Sequence, residues 1–368
     1  MEISEIVKLD VKYNGQIVGY LAERKDGAIL FQYDTQWLKN GFSISPFSLS
    51  LTEGQFINPK PTFNGLFGVF WDSLPDGWGE LLVRRMLNKH GINFDKLSAL
   101  QKLSIINKNG LGALEYEPNN SIENNNPNCN LDEIAKEVQR VLNDETQDVD
   151  LDTVYQLGGS SGGARPKAHI IYNNEEWIVK FPCMIDPRDI GEREYYANTL
   201  AKNCGINVNE FHLFTSKTCT GYFGAKRFDR VNNTKIHMIS LAGLLETTHR
   251  LPNLDYGHLF QAISQICVDK EKDMYEAYRR MCFNVFFKNR DDHSKNFSFL
   301  YDEKLQGYCL SPAYDMTSLP HKSEHEMTVN GNGTPTQDDL LAIAKDFKLN
   351  IPKCKEIIQN VKSVLNTV

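Results

Sequence analysis

The chain has no run of eighteen or more apolar residues, so no membrane-spanning helix is expected. Its first residues, Met1-Glu2-Ile3-Ser4-Glu5, lack the basic and apolar regions of a secretory leader, and a cytoplasmic protein is expected. The eight cysteines at 129, 183, 204, 219, 267, 282, 309 and 354 form no C-x-x-C pair, and His293 has no partner at metal-ligand spacing. A zinc site or a disulfide framework is therefore not expected, and reduced thiols are. Positive charge is in deficit, with 40 Lys and Arg against 47 Asp and Glu and a formal net charge of −7. This argues against nucleic-acid binding over the whole surface, while one local basic patch stays open. At 368 residues, 41% hydrophobic and 24% charged, the chain reads as a soluble protein too long for one ordinary core, with two or three domains or lobes.

Several patterns are present. Val7 to Tyr13 alternates apolar and charged residues, Asn14-Gly15 supplies a tight turn, and Ile17 to Leu21 is the return strand. Ala28 to Tyr33 is a third strand. Leu74-Pro75-Asp76-Gly77-Trp78-Gly79 reads as a turn before a helix over Glu80–Lys89, whose stripe is Leu81, Leu82, Met86 and Leu87. Residues 117–130, rich in Asn and nearly without apolar side chains, read as a solvated linker. An amphipathic helix follows, with Leu131, Ile134, Ala135, Val138 and Leu142 on one face. Beyond residue 150 the order is a glycine-rich loop between two strands, a strand Trp177–Phe181, a helix Ile190–Asn203, and a strand plus hinge over Tyr222–Arg230. Past about residue 237 the chain reads as mostly helix. There Tyr278, Met281, Cys282, Val285 and Phe286 are spaced i, i+3, i+4, i+7, i+8, the wide apolar stripe of a buried strut.

Chemistry concentrates directly after that strut, in Arg290-Asp291-Asp292-His293-Ser294-Lys295-Asn296. An Asp with an Asn five positions later, and a second Asp (Asp315) after a hairpin, has the order of a kinase catalytic loop. Asp291 can accept the proton of an attacking hydroxyl. Asn296 and Asp315 can hold a magnesium ion, which takes one or two protein oxygens and fills its octahedron with phosphate and water. His293 and Lys295 can donate to phosphate oxygens. A polar surface loop is the plain alternative for any one of these groups. Their ordered succession of strut, loop, hairpin and Asp315 argues against it.

Three weaker patterns stand alongside. Gly158 to Lys167 is glycine-rich with Arg165 and Lys167 as cations; it fits neither G-x-x-x-x-G-K-[ST] nor G-x-G-x-x-G, and a flexible linker is its alternative. Lys180 ends a strand and Glu194 lies in the next helix, the elements of a phosphate-binding lysine held by a carboxylate, with Glu192 as rival partner. Gly224 to Arg230 is placed as a hinge between two lobes. His249, His258, His321 and His325 have no acid or nucleophile paired with them in sequence and are assigned no chemistry.

Together these residues resemble the HipA family, serine/threonine kinases that serve as toxins of bacterial toxin–antitoxin systems. The pieces are Ser160-Ser161-Gly162-Gly163-Ala164-Arg165-Pro166-Lys167, Ile178-Val179-Lys180-Phe181-Pro182, Glu194-Tyr195, Arg227-Phe228-Asp229-Arg230, Asp291 to Ser298 and Pro312-Ala313-Tyr314-Asp315. Val18-Gly19-Tyr20-Leu21, Leu74-Pro75-Asp76-Gly77 and Leu111-Gly112-Ala113-Leu114 extend the likeness to the front.

The resemblance implies an α+β protein: a small β-rich subdomain over 1–116, the linker 117–130, and a bilobal protein-kinase-like fold. Its smaller lobe would be 131–230 and its mainly α-helical lobe 231–368. The resemblance also implies Asp291 as base, and Asn296 with Asp315 as magnesium ligands. An ATP site would be lined by Gly162, Gly163, Ala164, Arg165, Pro166, Lys167, Lys180, Glu194, Lys226, Arg227, Phe228, His293, Ser294, Lys295, Asn296, Tyr314 and Asp315. Ser160, with Ser161 as rival, would be an autophosphorylated off switch. The implied partners are a cytosolic protein substrate, in known members often an aminoacyl-tRNA synthetase, and a helix-turn-helix HipB-like antitoxin through which DNA is reached. Two positions depart from the pattern: Asp292, where the family commonly has Gly, adds an acidic group beside the base, and Lys226 stands where an acidic hinge residue is common. A small-molecule kinase and an inactive kinase-like binding module are the competing readings.

Overall fold

The computed structural model describes residues 3–106, 110–121, 130–145, 149–232 and 234–366. Most of the linker expected at 117–130 lies outside the described residues. Two compact units are present: Met1–Glu192 with His212–Ile239 and Gly243–Glu246, and Arg193–Phe211 with Ser240–Ala242 and Thr247–Val368.

The first unit opens with an antiparallel sheet of β1 (Lys8–Tyr13), β2 (Gln16–Glu23), β3 (Ile29–Tyr33), β4 (Phe56–Ile57) and β5 (Leu114–Glu117), in the order β4-β3-β2-β1-β5. Asn14 and Gly15 take φ of 46° and 81°, the double left-handed turn whose twist suits a two-residue hairpin. Alternation then buries Leu9 and Val11 completely, beside Leu21 and Phe31.

A second sheet holds β6 (Lys167–Tyr172), β7 (Glu175–Lys180), β8 (Phe211–Phe214) and β9 (Tyr222–Lys226), ordered β6-β7-β9-β8. Helices Gly77–Lys89, Leu131–Leu142 and Leu151–Gly158 share its core through Trp78, Leu82, Met86, Val138, Val154 and Val179. In the middle helix Ile134, Ala135, Val138 and Val141 are buried, and Leu142, expected on that face, is only partly so. The glycine-rich loop differs from its expectation: a helix, not a strand, precedes it. Asp150 caps that helix by accepting from Thr153 N at 3.1 Å, and Val154 and Leu157 face the core at i, i+3. Eight residues are too few for periodicity alone to separate the two forms.

The second unit is built on helix Lys270–Phe287. Asp269 caps its start by accepting from Lys272 N at 3.1 Å, and Lys288, at φ 58°, ends it. Burial runs round the helix from Asp273 to Asn284, while Val285 and Phe286 are only partly covered, so the strut is enclosed instead of presenting one stripe. Helices Tyr256–Ile266, Gln337–Asp346 and Ile351–Asn366 surround it. The expected hairpin is present as Ser298–Asp302 paired with Gly307–Leu310. A buried pair joins strut to hairpin: Arg280 Nε lies 2.8 Å from Glu276, and Arg280 Nη2 donates to Ser311 O at 2.6 Å. Among the described residues no helix is long and apolar enough to cross a membrane.

Candidate active site

In the second unit the strut hands directly to the polar loop. Asn289 is buried and donates to Asn284 Oδ1 at 3.0 Å, which fixes where the loop begins. Asn296 Nδ2 donates to Asp291 O at 2.7 Å, and Asn296 N to His293 O at 2.9 Å. The loop is thereby folded on itself, and the Asn296 amide oxygen is the atom left for an outside cation. The hairpin's return strand is tied to the same place. Tyr314 OH lies 2.6 Å from both Lys295 O and Ser298 Oγ. Asp315 follows at φ 53°, a left-handed conformation that Asp tolerates better than most residues. Asp292, Asn296 and Tyr314 share the wall of a cavity of about 10 Å³, room for one water at most. The chemistry of Asn296 and Asp315, two hard oxygen donors at one end of a hairpin, fits magnesium with its remaining ligands from phosphate and water.

Asp291 itself is engaged. Lys322 Nζ lies 2.5 Å from Asp291 Oδ1 and 2.8 Å from Glu326 Oε1. Burial works against the Lys322 ammonium, but the Asp291 and Glu326 carboxylates outweigh it and raise its pKa. Asp292, expected to add an acidic group beside the base, is instead 1% exposed and fully bonded. Its Oδ2 accepts from Tyr256 OH and from His325 Nδ1, each at 2.8 Å, and its Oδ1 from Glu326 N at 3.1 Å. Burial, then the Asp292 charge, pushes the Tyr256 hydroxyl's pKa well up, so it stays a donor. His293 stands with its ring 5.1 Å from that of His249. Ser294 is buried and Lys295 partly so.

The glycine-rich loop lies in the first unit, held by the segment that reads as a simple turn in sequence. Gly163 N donates to Asp76 Oδ1, and Trp78 N donates to Gly163 O at 3.0 Å. Gly77 sits at φ 49°, and a Cβ there would lie 2.5 Å from Gly163 O, so only glycine permits the approach. Lys167 Nζ donates to Gly162 O at 2.5 Å, Arg165 pairs with Asp186 at 3.1 Å, Pro166 O accepts from Phe181 N at 2.8 Å, and Ala164 Cα would lie 2.8 Å from a Cβ at Gly77. Ser160 is 5% exposed and Ser161 1%, the latter donating to Gly158 O at 2.5 Å.

Lys180 lies with its ammonium 5.7 Å from the Phe223 ring centroid. In the second unit Glu194 is buried, whereas its rival Glu192 is exposed. At the expected hinge, Lys226 pairs with Glu175 at 2.8 Å and Phe228 is half-buried. The Arg227 side chain is 0% exposed and bonded to Asp229 (2.9 and 2.7 Å) and Gly110 O (2.8 Å), so it serves the fold. Sequence reading missed Asp76, Tyr256, Lys322 and His325. The glycines at 77 and 79, unfavourable in a helix's first turn, were the one signal for the first of these.

Residues 159–368 match the family model of the HipA-like C-terminal domain, and residues 9–117 that of the HipA N-terminal domain. Two relatives from Sinorhizobium fredii are similar along most of their length. "Putative kinase Y4dM" is 24% identical, covering 99% of this chain and 89% of its own, and "Putative kinase Y4mE" is 23% identical, covering 84% and 77%. Among solved structures, Shewanella oneidensis HipA, in complex with HipB and its operator DNA, shares the fold. Its TM-score is 0.72 at 18% identity, over 98% of this chain and 91% of that one. With one domain model spanning more than half its length and a second covering its front, the chain belongs to the HipA family.

Proposed function

We propose that this chain is an ATP- and magnesium-dependent serine/threonine protein kinase that acts as a toxin on a cytosolic protein. The candidate target that the family resemblance supplies is an aminoacyl-tRNA synthetase. The observation that carries this reading is the closed loop of the second unit. Asn296 is folded onto the Asp291 carbonyl, and Tyr314, next to Asp315, onto that of Lys295. In this reading Asp291 orients the acceptor hydroxyl and takes its proton. Asn296 and Asp315 would hold magnesium, which when bound would neutralise charge on the ATP phosphates. Lys180, Lys167 and the backbone of Gly162 to Pro166 are the nucleotide-side candidates in the first unit, with the Lys226–Phe228 backbone for the base. His293, Ser294 and Lys295 are the phosphate-side candidates of the loop.

Ser160 is the proposed regulatory phosphosite. Because it is buried, modification requires the loop to leave its place, and the added charge then opposes return. A HipB-like antitoxin is the proposed partner, as HipB is for the Shewanella protein, with DNA reached through it.

The test is transfer of labelled γ-phosphate from Mg·ATP, alone and in a bacterial lysate. Asp291→Ala should lower transfer by about 10²–10⁴-fold and leave the melting midpoint in place, since the carboxylate side chain is 41% exposed. Equal transfer by mutant and parent removes Asp291 from the chemistry. A second reading, an inert module acting through antitoxin complexes, draws on the internal partners already held by Gly163 N–H and Asp291. It predicts no magnesium-dependent stabilisation by ATP, because a ligand stabilises only what it binds.

A further inference from the structure

Three consecutive residues, Arg290, Asp291 and Asp292, all bind one later segment, the strap 318–326. Ser318 Oγ donates to Phe287 O and Leu319 N to Lys288 O, each at 3.0 Å, seating its start on the end of the strut. Arg290 Nη1 donates to Pro320 O at 3.1 Å and also to Lys322 O. Asp292 receives His325 Nδ1 at 2.8 Å and Glu326 N at 3.1 Å. Between these anchors Lys322 reaches Asp291 Oδ1, steadied from the other side by Glu326. Among the described residues Asp291 Oδ2 has no hydrogen-bond partner.

An exposed Lys–Asp pair by itself contributes little and is held loosely. Here the backbone carrying the lysine is fixed on both sides of its partner, at one end by a carboxylate–imidazole contact whose side chains are 0% and 3% exposed. Such a mounting sets geometry more than stability. We propose that Lys322 is a positioning residue for phosphoryl transfer: it holds the Asp291 carboxylate by one oxygen so that the other faces the acceptor hydroxyl. This rests on the reading of Asp291 as the base. In the step it serves, the acceptor oxygen forms its bond to the γ-phosphorus of ATP and its proton passes to Asp291 Oδ2. ADP leaves with the electron pair of the broken P–O bond.

The test compares parent, Lys322→Met, Lys322→Arg and Asp291→Asn for label transfer from Mg·ATP to the chain itself and to lysate proteins. Lys322→Met should lower the rate at saturating ATP about 10- to 100-fold, the scale of a misplaced catalytic group. The ATP concentration for half-maximal rate should stay within about two-fold and the melting midpoint should not move. Lys322→Arg should restore most of the rate. A Lys322→Met rate equal to the parent's makes the lysine a bystander, and a higher one makes the strap a latch; either overturns the proposal.

A second measurement is independent of turnover. The Lys322 amine is titrated by NMR, and its midpoint should fall in Asp291→Asn, where one of the carboxylates that raises it is gone. An unchanged midpoint means that the contact is absent in solution, and the proposal fails. If the parent transfers no label while the NMR shift is present, the kinase reading is what fails, and the positioning role falls with it.

Discussion

Replacing Asp229 by alanine removes the one carboxylate enclosed between two buried guanidinium groups. Asp229 is 3% exposed and accepts from Arg227 at 2.9 and 2.7 Å, from Arg230 Nη1 at 3.0 Å and from Gly112 N at 2.8 Å. Without it, the nearest acid to both arginines is Glu176, at 3.5 and 3.4 Å and 31% exposed, a poor substitute. Breaking a buried pair by removing one partner costs about 3–5 kcal/mol, and the Gly112 N–H left without its acceptor works in the same direction. All four tryptophans, Trp37, Trp71, Trp78 and Trp177, belong to the first unit, so urea unfolding followed by their fluorescence reports that unit alone. The expected loss is about 3–5 kcal/mol, and Arg227→Met added to Asp229→Ala should recover part of it.

The pH dependence has a fixed sign. Burial would raise the Asp229 pKa, but Arg227 and Arg230 hold it well below the ordinary 3.8. A depressed folded-state value means that the stabilisation is complete above the unfolded value and drains away as pH falls through 3.8 toward the folded one. The variant should therefore show a flatter acid limb. A loss under about 1 kcal/mol, or an unchanged acid slope, would refute the view that Arg227-Phe228-Asp229-Arg230 is architecture.

Two further changes probe the loops. Gly77→Ala puts a side chain into a left-handed backbone and against Gly163 O; it should cost about 1–3 kcal/mol in the same fluorescence assay and speed proteolysis of residues 159–166. Unaltered cleavage would mean that the loop does not depend on this contact. Tyr256→Phe takes a donor from Asp292 and an acceptor from Asn284, both at 2.8 Å. Hydrogen exchange of the strut amides should report a loss of about 1–3 kcal/mol, and protection equal to the parent's would count against the network.

What could be read from sequence was local. Lys8 to Tyr13 alternates, Asn14-Gly15 admits few conformations, and the hairpin after Asn296 has turn residues between two apolar runs; the structure shows all three. The helix 151–158 was missed because its apolar positions match either period over so short a span. Lys322 lies 31 positions from Asp291, and Asp76 lies 87 from Gly163. Neither spacing belongs to a repeating element, so nothing in the chain announces the contact. Asp292 is plain in the sequence but its effect is not: charge beside a base matters only if it faces the same solvent, and this one is closed off by Tyr256 and His325.

In the proposed reading, where the glycine-rich loop takes the ATP phosphates, the contact of Asp76 with Gly163 N–H makes it a receptor that carries its own tethered ligand. An anion arriving from solution competes with a carboxylate whose effective concentration is set by the fold and does not fall on dilution. Its apparent affinity is the intrinsic one scaled by the fraction of time that Asp76 stands aside. In that reading a neutral residue at 76 abolishes the competition, so the loop's hold on phosphate is set as much in the front third of the chain as in the glycines themselves.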